Sequence, residues 1–200
     1  MRAFCLAATI SLLSAGASAA ATLNEGTFGE FSADWTNPTV VAEGNDSISG
    51  TWGWQNDHDI LAFTSLRKGA QTVTLSFAPK VSGDTSNNSF SSGGRVLYKF
   101  SPLQYSAWEG TDLANFSMEH WNRGQDFTYT LTLGDDFDGA LYLMLFNTHT
   151  SHGGLTYNIA VPGNAVAETQ PAPVPLPAGA ALLPAGLAAL AFLRRRRKAR

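Results

Sequence analysis

One cysteine, Cys5, stands in the whole chain, and it lies within the first few residues. A body without further thiols excludes a disulfide framework, a cysteine-ligated metal and a cysteine nucleophile. Basic residues are scarce outside the two ends. Arg2 and the six basic residues among the last seven positions account for seven of the 13 Lys and Arg, which leaves six against all 16 Asp and Glu. The part between the ends therefore carries a net charge of −10, a surface that repels nucleic acid and favours solubility or divalent cations. No G-x-S-x-G nucleophile elbow, no H-E-x-x-H and no phosphate-loop lysine occurs. No long segment of helical period appears either, apart from a weak candidate over 112–118.

What is present begins with a leader. Arg2 supplies the charge of an n-region and residues 3–13 form an apolar run. Ala17-Ser18-Ala19 then places small residues where a signal peptidase cuts. The expected cut follows Ala19, with Ala21 as the second choice. Cys5 leaves with the leader. Export would use the Sec machinery.

The other end repeats the theme of address rather than chemistry. Val174-Pro175-Leu176-Pro177-Ala178 precedes an apolar stretch over 178–193, and Arg194, Arg195, Arg196, Arg197, Lys198 and Arg200 close the chain. Sixteen uncharged residues span about 24 Å as a helix at ~1.5 Å each. That is short against a hydrocarbon core of about 30 Å. Pro184 interrupts the stretch, so the expectation is a provisional transmembrane helix. Its basic flank would stop in the cytoplasmic interface. The body would then lie on the far side of the inner membrane. Residues 162–173 hold three prolines and one acid, a linker expected to be extended.

This tail resembles the VPLPA type of the PEP-CTERM sorting signals of Gram-negative bacteria. The resemblance covers 174–200, with proline motif, apolar segment and arginine-rich end in order. It implies an exosortase as processing partner, with Val174, Pro175, Leu176, Pro177 and Ala178 as the substrate residues. It also implies a destination at the cell surface or in an extracellular polysaccharide matrix.

Between the ends, 22–161 suits one all-β domain, a β-sandwich or jelly roll. Residues 59–64, 71–77, 95–100, 127–133, 140–146 and 155–161 are short runs rich in β-branched and aromatic residues. Thr72-Val73-Thr74-Leu75-Ser76-Phe77 and Thr128-Tyr129-Thr130-Leu131-Thr132-Leu133 alternate strictly, which gives each strand one apolar face. Arg67-Lys68-Gly69, Ser82-Gly83-Asp84, Gly134-Asp135-Asp136 and His152-Gly153-Gly154 punctuate them. Gly44–Gly50, then Asn56–Phe63, then Lys68–Leu75 resemble the opening of the bacterial pre-peptidase C-terminal domain, and Asp138–Leu143 and Gly154–Ile159 resemble its last strands. Trp52-Gly53-Trp54 and an insertion over 82–94 depart from that pattern. The resemblance implies an accessory sandwich without an active site.

Candidate sites in the body are few. Asp57 and Asp59 share one strand face, and Asp135, Asp136 and Asp138 crowd a turn. Gathered in space, these oxygens could take part of a calcium shell; otherwise the turn is a solvated hairpin. No other cofactor is expected. Trp52 and Trp54 share a face if 51–55 is a strand, either as a core pair or as a platform for a sugar ring. His149 and His152 sit in a glycine-bounded stretch that reads as a solvated loop, and 89–94 reads as a flexible one. The reading is a non-enzymatic exported sandwich and exosortase substrate. A secreted carbohydrate- or calcium-binding module is the alternative, and a hydrolase without a recognisable motif the third.

Overall fold

A computed structural model of the chain describes residues 21–80, 89–122, 125 and 127–164. The leader, most of the linker, the VPLPA motif, the apolar segment and the basic end lie outside the described residues.

Within the described residues, ten strands form two five-stranded sheets. The first sheet runs β1 (Ala21–Asn24), β3 (Asn45–Trp52), β10 (Leu155–Ala160), β5 (Gln71–Pro79) and β8 (Phe127–Leu133). The second runs β2 (Thr39–Val40), β4 (His58–Phe63), β9 (Leu141–Ser151), β6 (Ser91–Lys99) and β7 (Thr111–Glu119). Among the described residues, only β1 beside β3 and β2 beside β4 pair in parallel. A single helical turn, α1 (Glu25–Phe28), follows β1.

The alternations in β5 and β8 are realised. Val73, Leu75 and Phe77 face inward opposite Leu131 and Leu133 of β8, with threonines and Ser76 outside. One core fills the space between the sheets, built from Ile48, Trp52, Leu61, Phe63, Leu75, Leu143, Leu145 and Ile159 among others. The described residues therefore form an all-β two-sheet sandwich domain.

The second sheet is buried on both faces at its centre. Leu141, Leu143 and Leu145 point into the main core, while Tyr142, Met144 and Phe146 join Ile60, Ala62 and Leu97 in a smaller cluster on the outer face. Leu103, Ala107 and Trp35 cover that cluster. This explains why β4 and β9 read as near-continuous apolar runs rather than alternating ones.

Four sequence expectations are corrected. Residues 112–118 are not helical; they form most of β7, with Ala114, Phe116 and Met118 buried at every second position. Pairing along β6 overrides the weak strand propensity of Asp, Ala, Asn and Met. Residues 91–94 are not a flexible loop but the first half of β6. Their glycines are needed because a Cβ at Gly94 would sit 2.1 Å from the Phe146 carbonyl oxygen and 2.7 Å from the Trp52 ring. His149 belongs to β9 and not to a loop; the turn begins at His152, whose φ is +54°. Trp52 and Trp54 do not share a face. β3 ends at Trp52, which is 0% exposed, and the chain turns at Gly53 to leave Trp54 68% exposed.

Candidate functional site

Asp59 is the residue that the fold treats most severely. It is the inward-facing position of β4 nearest the start of the strand and is 0% exposed. Tyr157, from β10 of the opposite sheet, donates its hydroxyl to Asp59 Oδ2 at 2.8 Å. The other oxygen, Oδ1, is buried and accepts no hydrogen bond. A carboxylate so placed is costly unless a charge or proton compensates it.

The N-terminal segment brings more negative charge to the same spot. Glu25, first residue of α1, is buried because β3 claims its side chain: Oε2 accepts from Thr51 N at 2.7 Å and Thr51 Oγ1 at 3.2 Å, while Oε1 accepts from Phe31 N at 3.4 Å. Gly29, at φ +108°, turns the chain after α1 and returns Glu30 toward the cluster. Buried Phe31 pins that return. One carboxylate oxygen each from Glu25, Glu30 and Asp59 lie within 4.8 Å of one another.

Asp57 stands behind them. Its Oδ2 accepts from Gly53 N at 2.8 Å, and Asn56, at φ +66°, shapes the turn that allows it. A cleft of about 420 Å³, lined by Glu25, Glu30, Gly50, Thr51, Lys80 and Tyr157 among others, opens onto the cluster. Gly50 is required there: a Cβ would lie 2.2 Å from the Tyr157 hydroxyl.

The electrostatics follow from this crowding. Burial, and then the neighbouring charge of Glu25, push the Asp59 carboxyl up to about 8 against the opposing Tyr157 hydrogen bond. Burial, with Glu25 and Asp57, also raises Glu30, which Lys80 partly offsets. The Tyr157 hydroxyl is raised well above its ordinary value by its own burial and by Asp59. Four carboxyl groups thus crowd one place. A cation would relieve all of them together. The donors are oxygens only, which suits a hard ion such as calcium, tolerant of irregular six- to eight-fold shells, over zinc or copper.

Of the pair Asp57 and Asp59 that the sequence singled out, Asp59 lies in the cluster and Asp57 close to it, bonded to Gly53 N. The sequence missed Glu25 and Glu30, which join through α1 and have no motif spacing to betray them. Asp135, Asp136 and Asp138 do not join. They precede β9 at the Phe63 end of β4, while Asp57 precedes its His58 end. The length of β4, about 17 Å at ~3.3 Å per residue, separates the two groups. Asp138 instead pairs with exposed Lys68, and Asp135 and Asp136 are exposed.

The histidines are also apart in role. His149 Nε2 lies 3.0 Å from Ser117 Oγ, and that hydroxyl donates to Glu119. His152 Nδ1 lies 3.3 Å from the Ser89 carbonyl oxygen.

No protein-family model and no curated protein matches this chain. Among solved structures it is similar to CorA, described as a surface-associated copper-binding protein important in copper acquisition by Methylomicrobium album BG8. The identity is 11%, the match covers 62% of this chain and 97% of that one, and the TM-score is 0.33.

Proposed function

We propose that this is an exported, non-catalytic β-sandwich that holds a divalent cation, calcium before others, between its N-terminal segment and its second sheet. The observation that carries the reading is the burial of Asp59, one of whose oxygens accepts no hydrogen bond, in a cluster where one oxygen each from Glu25, Glu30 and Asp59 lie within 4.8 Å of one another. Glu25, Glu30 and Asp59 would ligate the ion. Asp57 and Tyr157 would hold the set in place. The C-terminal tail would deliver the domain: an exosortase would recognise Val174, Pro175, Leu176, Pro177 and Ala178 while the basic end stays inside. The cell surface or surrounding polysaccharide would be the destination.

The test is calorimetric titration of the exported, chelator-treated chain with calcium and with magnesium, alongside thermal melting. Calcium should bind once and raise the melting temperature, with about 2.7 kcal/mol of stabilisation at a hundredfold excess over the dissociation constant. Glu30→Gln, an exposed change, should weaken binding without unfolding the chain. Equal behaviour of wild type and Glu30→Gln, or no calcium heat at all, would sink the reading.

A further inference from the structure

The connection from β6 to β7 does more than cover the sheet. From Phe100 to Trp108 it contains no charged residue. Its inward side chains, Leu103 and Ala107, pack on the outer cluster of the second sheet. Its geometry is held firmly. Glu109 accepts from the backbone N–H of Gln104 and, at 3.0 Å, from that of Tyr105. The same carboxylate pairs with Lys99 at 3.2 Å, and Lys99 also donates to the Pro102 carbonyl.

The loop then leaves aromatic surface in water. Trp108 lies flat on Phe146, with ring centres 3.8 Å apart and planes 9° from parallel, and His58 meets both rings edge-on. One indole face is thereby fixed and Trp108 remains 51% exposed; Tyr105 is 82% exposed. The backbone of Trp54, itself 68% exposed, is tied to the same strand as Phe146. Asn147, the residue after Phe146, donates through Nδ2 to the Trp54 carbonyl at 2.9 Å. Covering the sheet needs only the inner face of Trp108, so packing does not account for the rest.

We infer that Trp108, Tyr105 and Trp54 form a stacking platform for a neutral polysaccharide. Size and charge choose this occupant. Fully buried aromatic side chains contribute 150–250 Å² each, so the exposed parts of three offer roughly 400 Å². That is about half of what one partner contributes to a standard protein interface, but enough for a few pyranose rings laid on their C–H faces. The loop has no free cation, because Lys99 is engaged by Glu109, and the body around it is acidic. An anionic glycan would therefore be repelled. Gln104 and Ser101 are exposed neutral groups within the loop and can hydrogen-bond sugar hydroxyls. None of the proposed cation ligands belongs to this loop, so the inference stands apart from the cation reading.

Affinity electrophoresis of the exported chain decides it, with calcium present, through gels holding hydroxyethylcellulose, dextran or alginate. We expect retardation by a neutral glucan and none by alginate. Tyr105→Ala and Trp54→Ala should each weaken it about tenfold, the worth of one aromatic stack near 1.4 kcal/mol, with the melting temperature unchanged. Glu30→Gln should still be retarded. Migration unaffected by all three polymers, retardation by alginate alone, or retardation that survives both aromatic changes would overturn the assignment. So would a dimer that Tyr105→Ala dissociates, since the patch would then serve a second copy.

Discussion

Asp59 links burial to pH. Its pKa in the folded chain, about 8, lies above the ordinary carboxylate value of 3.8 that applies when unfolded. Between those values the native state binds more protons than the unfolded one, so stability falls as pH rises. The chelator-treated chain should be most stable below about pH 4 with respect to this group, and should lose that contribution as pH climbs through 8. Urea unfolding from pH 5 to 9 measures it. Asp59→Asn should flatten the slope, and saturating calcium should flatten it too, because the bound ion keeps the folded-state carboxylate ionised across this range. A slope unchanged by Asp59→Asn would place the titration elsewhere. Gly50 is a second residue-scale test: Gly50→Ala drives a methyl into Tyr157. It should cost about 1–3 kcal/mol as overpacking and weaken calcium binding by displacing the Tyr157–Asp59 bridge.

At the scale of elements, the two tryptophans flanking Gly53 separate core from surface. Trp52 ends β3 inside the main core, where it contacts Phe77, Phe116 and Tyr157. Trp52→Ala should lose about 3–5 kcal/mol, whereas Trp54→Ala should stay within about 0.5 kcal/mol. Denaturant midpoints at constant slope provide the comparison. β6 makes a parallel case. Its Gly93-Gly94 pair reads as flexible in sequence, yet the backbone of β9 and the ring of Trp52 occupy the space a side chain would need. Gly94→Ala should therefore destabilise as a core change does, despite the glycine-rich look of the segment.

At the scale of the whole molecule, the proposed sorting role of the tail can be tested apart from the sandwich. Pro175→Ala with Pro177→Ala should leave membrane insertion intact and block processing, so that an antibody to the body detects a longer, membrane-bound form. Mass spectrometry of the wild-type mature chain should find a C-terminus near 174–178. A mature chain that retains Arg200 would contradict the sorting role.

Composition and period-two alternation were enough to specify the class of the fold and most of its strands. β5 and β8 show it best, because each buries one face against one core and the pattern survives in the chain. The same signal failed for β7, whose residues carry little strand preference and become a strand only through pairing with β6. It failed at Gly93 and Gly94, where closeness of another backbone, invisible in one dimension, sets the residue. The candidate site divides the same way. Asp57 and Asp59 were legible because they are close in the chain at the start of β4. Glu25 and Glu30 were not, since a one-turn helix and a left-handed glycine carry them to the start of β4. The acids of 135–138 looked equivalent by composition, but the length of one strand keeps them away. Local periodicity is written in the sequence; which distant charges are pressed together out of water is decided only when two sheets close on each other.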